Sequence, residues 1–153
     1  DGMRYLPKEV ILTLEQLQAP CREWQETLRL QDFDFTIEIV EAHEVAPHTV
    51  TSSTDLKNKW VYLRFVKPEH YRSQDHTDPY DMELALVHEL GHVHYRLAGK
   101  GDGECSEAEE CMIERYALAL VALKRAASPP SLDGNRDMAL DAINEAIHAG
   151  VPI

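Results

Sequence analysis

The chain has 153 residues, 44% hydrophobic and 27% charged, with 8 Pro and 7 Gly. That suits one domain, 1–153, with a core of its own, and excludes wholesale disorder, collagen-like sequence and low complexity. The formal net charge of -12 repels phosphate backbones and anionic lipid, so neither nucleic acid nor a membrane is expected as a partner. Cys21, Cys105 and Cys111 are odd in number and form no CxxC pair, which reads as reduced thiols in a cytoplasmic protein. Cys111, inside an apolar helical stretch, is expected to be buried. No apolar run approaches a bilayer span, and no basic-then-apolar start suggests a secretory signal.

Residues 8–30 carry Ile11, Leu14, Leu17, Cys21, Trp24 and Leu28 at steps of three and four, one apolar face of a helix that Pro20 kinks or divides. Residues 33–39 alternate apolar and polar, the period of a half-buried strand. A weaker strand is expected at 48–51, and a third at 59–66, rich in β-branched and aromatic residues. Residues 69–77 read as a loop or a single turn.

From Asp78 the pattern turns helical. Asp78 is read as N-cap, Pro79 as the first helical residue and Asp81 as the partner of a capping box, in a helix running to Leu97. A glycine-rich loop at 99–103 follows. Ser106 is the expected N-cap of a helix over 107–126, and a last short helix is expected at 135–149 after a Pro-Pro break. There are no repeats. The class is α+β, with a short mixed sheet of about three strands and several helices.

His88-Glu89-Leu90-Gly91-His92 matches HExxH. On a helix, residues i and i+4 share a face, so two imidazoles converge on one metal ion, and the intervening Glu89 is placed to take a proton from an attacking water. Two imidazoles and a carboxylate suit Zn2+. Met82, Leu86, Leu90, Val93 and Leu97 form an apolar stripe pointing away from His88 and His92. Gly91 in mid-helix implies a close packing partner, either a strand or a substrate.

The third ligand has to come from elsewhere. His94 falls on the wrong side of the helix, and HExxHxxGxxH fails because Tyr95 and Ala98 stand where Gly and His are required. The next helix offers Glu104, Glu107, Glu109, Glu110 and Glu114 beside an inner stripe of Met112, Ile113, Tyr116, Ala117, Leu120 and Leu123. Glu110 is chosen as ligand, with Glu114 one turn later orienting a ligand histidine. Glu109 or Glu114 as the ligand stays open.

HELGH followed by Glu110-Cys111-Met112-Ile113-Glu114 resembles the gluzincin arrangement, HExxH then ExxxD or ExxxE. Trp24-Gln25-Glu26-Thr27-Leu28-Arg29-Leu30-Gln31-Asp32-Phe33-Asp34-Phe35, with Glu109-Glu110-Cys111-Met112-Ile113-Glu114-Arg115-Tyr116-Ala117, resembles small zincin-like metallopeptidases of bacteria and phages, over about residues 24–123. The resemblance implies a minimal zincin-like fold with an edge strand over the site that holds an extended peptide.

Tyr95, Tyr116, His76 and His94 could each donate to an oxyanion near the metal, but ordinary burial preferences favour packing or surface roles for all four. Trp24 and Trp60 are expected in the core, and His43, His48, His70 and His148 in solvent. The expectation is a zinc metallopeptidase acting on a peptide or protein. His88, His92 and Glu110 hold Zn2+ and Glu89 is the general base. A zinc-stabilised binding or regulatory module without catalysis is the rival. A three-histidine zinc ribonuclease is disfavoured by the missing histidine and the acidic charge.

Overall fold

A computed structural model describes residues 7–72, 78–99 and 106–127. The chain divides into two compact units, 1–122 and 123–153, and of the second only 123–127, the end of the last described helix, is described. The expected helix at 135–149, with Cys105, Glu104, His76 and His148, lies outside the described residues.

The first helix, α1 (Leu14–Thr27), begins later than the apolar periodicity suggests. Thr13 and Gln16 form a reciprocal capping box, the Thr13 hydroxyl accepting from the Gln16 amide at 3.1 Å and the Gln16 side chain from the Thr13 amide at 3.0 Å. Ile11 and Leu14 therefore lie outside the buried face, which is carried by Leu17, Cys21 and Trp24. Pro20 forfeits a backbone hydrogen bond without dividing the helix, because the apolar face on both sides of it packs into the same core.

The sheet is mixed, in the order β1-β3-β2. Strand β1 (Asp34–Val40) runs parallel to β3 (Trp60–Val66), and β2 (Val50–Asp55) pairs antiparallel with β3 at the other side. Short helices α2 (Ala42–Val45) and α3 (Pro68–Arg72) follow β1 and β3. Strands β1 and β3 lie within a residue of where alternation and β-branched, aromatic content respectively placed them, whereas β2 starts two residues later and runs four residues further than expected. Its polar sequence VTSSTD hides a strand that cross-strand pairing to β3 creates.

Val61, Leu63 and Phe65 face the core, so Trp60 belongs by period two to the opposite face and is 42% exposed, against the expectation of burial. The core joins α1 and the inner sheet face to α4 (Met82–Leu97) and the inner residues of α5 (Glu107–Ala127). His70 is also not simply solvated: its Nδ1 accepts from the Ala42 amide at 3.0 Å, tying α3 to α2. No described helix is long and apolar enough to cross a membrane.

The start of α4 differs from the sequence reading. Asp81, not Asp78, is the N-cap, its carboxylate accepting from the Leu84 amide at 3.1 Å. Val10 and Asp81 form a parallel bridge, with backbone hydrogen bonds from Val10 to Tyr80 and from Met82 to Val10, each 3.0 Å. The buried Tyr80 hydroxyl donates to the Val66 carbonyl at 2.9 Å. These contacts hold residues 80–81 extended, so the helix cannot begin earlier. It ends as expected at Leu97, with Gly99 in the left-handed region at φ 74°. Leu97 itself is exposed, since the helix has by then run past the core.

Candidate metal centre

Helix α4 brings Met82, Leu86, Leu90 and Val93 into the core, which turns His88 and His92 toward α5. Ser106 caps α5, its hydroxyl accepting from the Glu109 amide at 3.2 Å. Ile113, Ala117 and Val121 form the buried seam of α5, four residues apart each time. That seam is narrower than the expected stripe: Met112 and Leu123 are exposed, as is Cys111, which lies beyond its edge rather than in the core.

The two helices come close because of Gly91. A Cβ there would sit 2.9 Å from Ile113 Cγ2 and 3.4 Å from two ring carbons of Tyr116. The close partner of Gly91 is thus helix α5, not a strand or a substrate.

This approach carries Glu110 to the histidines. Glu110 Oε2 lies 3.0 Å from His88 Nε2 and Glu110 Oε1 lies 3.2 Å from His92 Nε2, while the two Nε2 atoms are 3.2 Å apart. Ligand atoms about 2.0–2.1 Å from a single ion at tetrahedral angles stand about 3.3 Å from one another. The two Nε2 atoms stand close to that spacing, and each is met by a different oxygen of the Glu110 carboxylate. Among the described residues, His88, His92 and Glu110 are the group whose donor atoms could hold a metal ion.

Proton positions argue the same way. Glu114 Oε2 contacts His88 Nδ1 at 2.9 Å, and a carboxylate only accepts, so Nδ1 carries the proton. In a neutral His88 the lone pair of Nε2 then faces His92 Nε2 and Glu110 Oε2, an arrangement that a cation at its centre, a metal or a second proton on His88, would stabilise. Burial pushes the His88 imidazole down, yet the Glu114 hydrogen bond and the charges of Glu89, Glu110 and Glu114 outweigh it and hold its pKa above the ordinary value. Burial and the neighbouring His88 lower that of His92. The His88 hydrogen bond holds Glu114 below the usual carboxylate range.

Of the three candidate carboxylates, the structure puts Glu110 among the donor atoms and Glu114 on the outer nitrogen of His88. Glu109 is in neither position. His94 is a packing residue: its Nε2 donates to the Leu28 carbonyl at 2.7 Å and its Nδ1 accepts from the Tyr116 hydroxyl at 3.0 Å. Tyr116 is therefore engaged away from the imidazole triangle.

Glu89 is only 7% exposed. Burial pushes its carboxyl up to about 7, against the Ser52 hydroxyl and the His88 charge, which favour ionisation. Ser52 is a residue the sequence reading did not single out. It pairs with the buried Leu63 across the β2–β3 ladder, so it points from the edge strand to the core side where α4 lies. A polar residue on the inward phase of a strand is the signal that could have marked it, once the register was known.

Compared with known proteins, the sequence matches no family model and no curated protein. The assignment of function therefore rests on the geometry of this site.

Proposed function

We propose that the protein is a zinc-dependent metallopeptidase of minimal zincin type, with His88, His92 and Glu110 as the ligands of Zn2+ and Glu89 as general base. The observation that carries this reading is the triangle of His88 Nε2, His92 Nε2 and the Glu110 carboxylate at 3.0–3.2 Å, on the HExxH pattern with its Glu buried alongside. Zinc is favoured over harder ions by the donor set, two imidazoles and one carboxylate. When bound, the ion supplies Lewis-acid polarisation of a carbonyl and acidifies a water.

The residues of the chain supply the rest. A general base works best with a pKa near the working pH, and burial brings the Glu89 carboxyl to about 7. Its oxygens then accept a proton from the attacking water and return it to the departing amine. Ser52 holds that carboxylate from the edge strand β2. Glu114 fixes the tautomer of His88 that leaves Nε2 free to ligate. An extended peptide lying along the free side of β2 would bring a backbone carbonyl to this place. A cytoplasmic setting accords with Cys21 and Cys111, which are both free thiols.

Replacing Glu89 with Gln tests the mechanism. Zinc content should stay at wild-type level while peptide hydrolysis falls by at least about a hundredfold, the usual contribution of a general base. Unchanged hydrolysis by Glu89→Gln would remove Glu89 from the mechanism. A zinc-stabilised module without catalysis is the second reading, favoured by ligands that bridge two helices and so make the ion a cross-link. Chelation then melts the fold, where a purely catalytic ion leaves it standing.

A further inference from the structure

We propose that Tyr116 is a positioning residue for the third ligand, fixing the rotation of α5 so that the Glu110 carboxylate meets both imidazoles; this rests on the metal-site reading above. Ile113, Ala117 and Val121 pack α5 against the core. Apolar contact is non-directional, so it sets how near α5 lies but holds its rotation weakly. Glu110 lies near the N-terminal end of this helix, outside the buried seam, with its side chain about half exposed.

Rotation matters for the site. A turn of about 20° carries a group about 6 Å from a helix axis through about 2 Å. A displacement of that size breaks contacts of 3.0 and 3.2 Å from Glu110 to the two imidazoles.

Directional contacts from α5 to α4 stand on both flanks of the seam. On one, Glu114 meets His88 Nδ1 at 2.9 Å. On the other, the Tyr116 hydroxyl donates to His94 Nδ1 at 3.0 Å, and His94 is itself anchored by its Nε2 to the Leu28 carbonyl at 2.7 Å. Glu114 and Tyr116 are two residues apart, about 160° around the axis, with Ile113 and Ala117 between them. A rotation that relaxes one contact strains the other.

The Tyr116 ring adds a steric stop, since two of its carbons lie 3.4 Å from the place of a Cβ on Gly91. The bond outside the ligand set therefore presets α5. Glu110 stands in place before an ion arrives, and Zn2+ does not have to order the helix.

Zn2+ affinity of the full chain, measured by competition with a chromophoric chelator, decides the matter. Tyr116→Phe removes only the hydroxyl and should weaken Zn2+ binding about tenfold, the low end for a partner that orients a ligand. In a Glu110→Gln background, where no carboxylate remains to be positioned, the same change should cost nothing further. Affinity within twofold of wild type for Tyr116→Phe overturns the inference, as does an equal loss in both backgrounds, which would mark a general effect on the fold. If the wild-type chain binds no Zn2+, the metal-site reading itself falls, and the inference with it.

Discussion

Asp81 shows how a single buried charge is held in this fold. Its carboxylate is 5% exposed and accepts from the Leu84 amide at 3.1 Å and the Lys8 amide at 3.4 Å. Burial nevertheless raises its pKa above the ordinary value. The folded state thus holds the proton more tightly than the unfolded chain. Stability falls as pH rises from about 3.8 through the raised folded value, because ionising the buried group costs more than its hydrogen bonds return. Asparagine keeps the acceptor for the Leu84 cap without the charge, giving up only the longer 3.4 Å contact from the Lys8 amide. Asp81→Asn should equal or exceed wild type in urea denaturation at pH 7, by a margin that shrinks as pH falls through that window. Asp81→Ala should lose about 1 kcal/mol at pH 7 with the cap. A margin that widens on acidification would contradict this account.

At the same scale, the two histidines and Glu89 could be read from spacing alone, because i and i+4 on one helix need no tertiary information. The choice among Glu109, Glu110 and Glu114 could not, since neighbouring acids on a helix differ only in rotation relative to a partner the sequence does not display. Cys111 and Trp60 lie exposed for a related reason: apolar character alone does not dictate burial, which the seam of α5 and the phase of β3 decide.

Among the elements, the pair α4 and α5 carries the site, and Gly91 sets their separation. Gly91→Ala should gain about 1 kcal/mol of helix propensity. Against that, the new Cβ meets the buried Ile113 Cγ2 at 2.9 Å, a branched and fully packed atom with little room to yield. Overpacking of this kind costs about 1–3 kcal/mol. The expected outcome is a lower thermal midpoint together with weaker Zn2+ binding, as α5 is pushed outward and Glu110 with it. A variant more stable than wild type with unchanged affinity would show that Gly91 has no such role.

Periodicity revealed α1, β1, α4 and α5, and β-branched and aromatic content revealed β3; the start of α5 is also legible, at the Ser106 cap, but those of α1 and α4 are not. Helix α1 starts where the Thr13–Gln16 box closes, a local T-x-x-Q signal that the longer apolar stripe overrode. Helix α4 starts where a long-range bridge to Val10 releases the chain, and no window around Asp78 contains that information. Strand β2 is polar and owes its existence to β3, so its extent was hidden until the ladder was known.

For the molecule as a whole, a three-stranded sheet and α1 form a platform that buries one face of α4 and leaves the His88–His92 face for α5. The acidic net charge of -12 acquires a place in this picture: Glu89, Glu110 and Glu114 surround the imidazoles and favour a cation between them. The central claim is that one ion binds there, held by His88, His92 and Glu110. Calorimetric titration of Zn2+ into the metal-free full chain tests it most directly, with Glu109→Gln and Glu110→Gln run beside the wild type. The account predicts one equivalent for the wild type, affinity kept in Glu109→Gln, and a loss of at least about tenfold in Glu110→Gln. No saturable binding by the wild type, or equal affinity in Glu110→Gln, would contradict it.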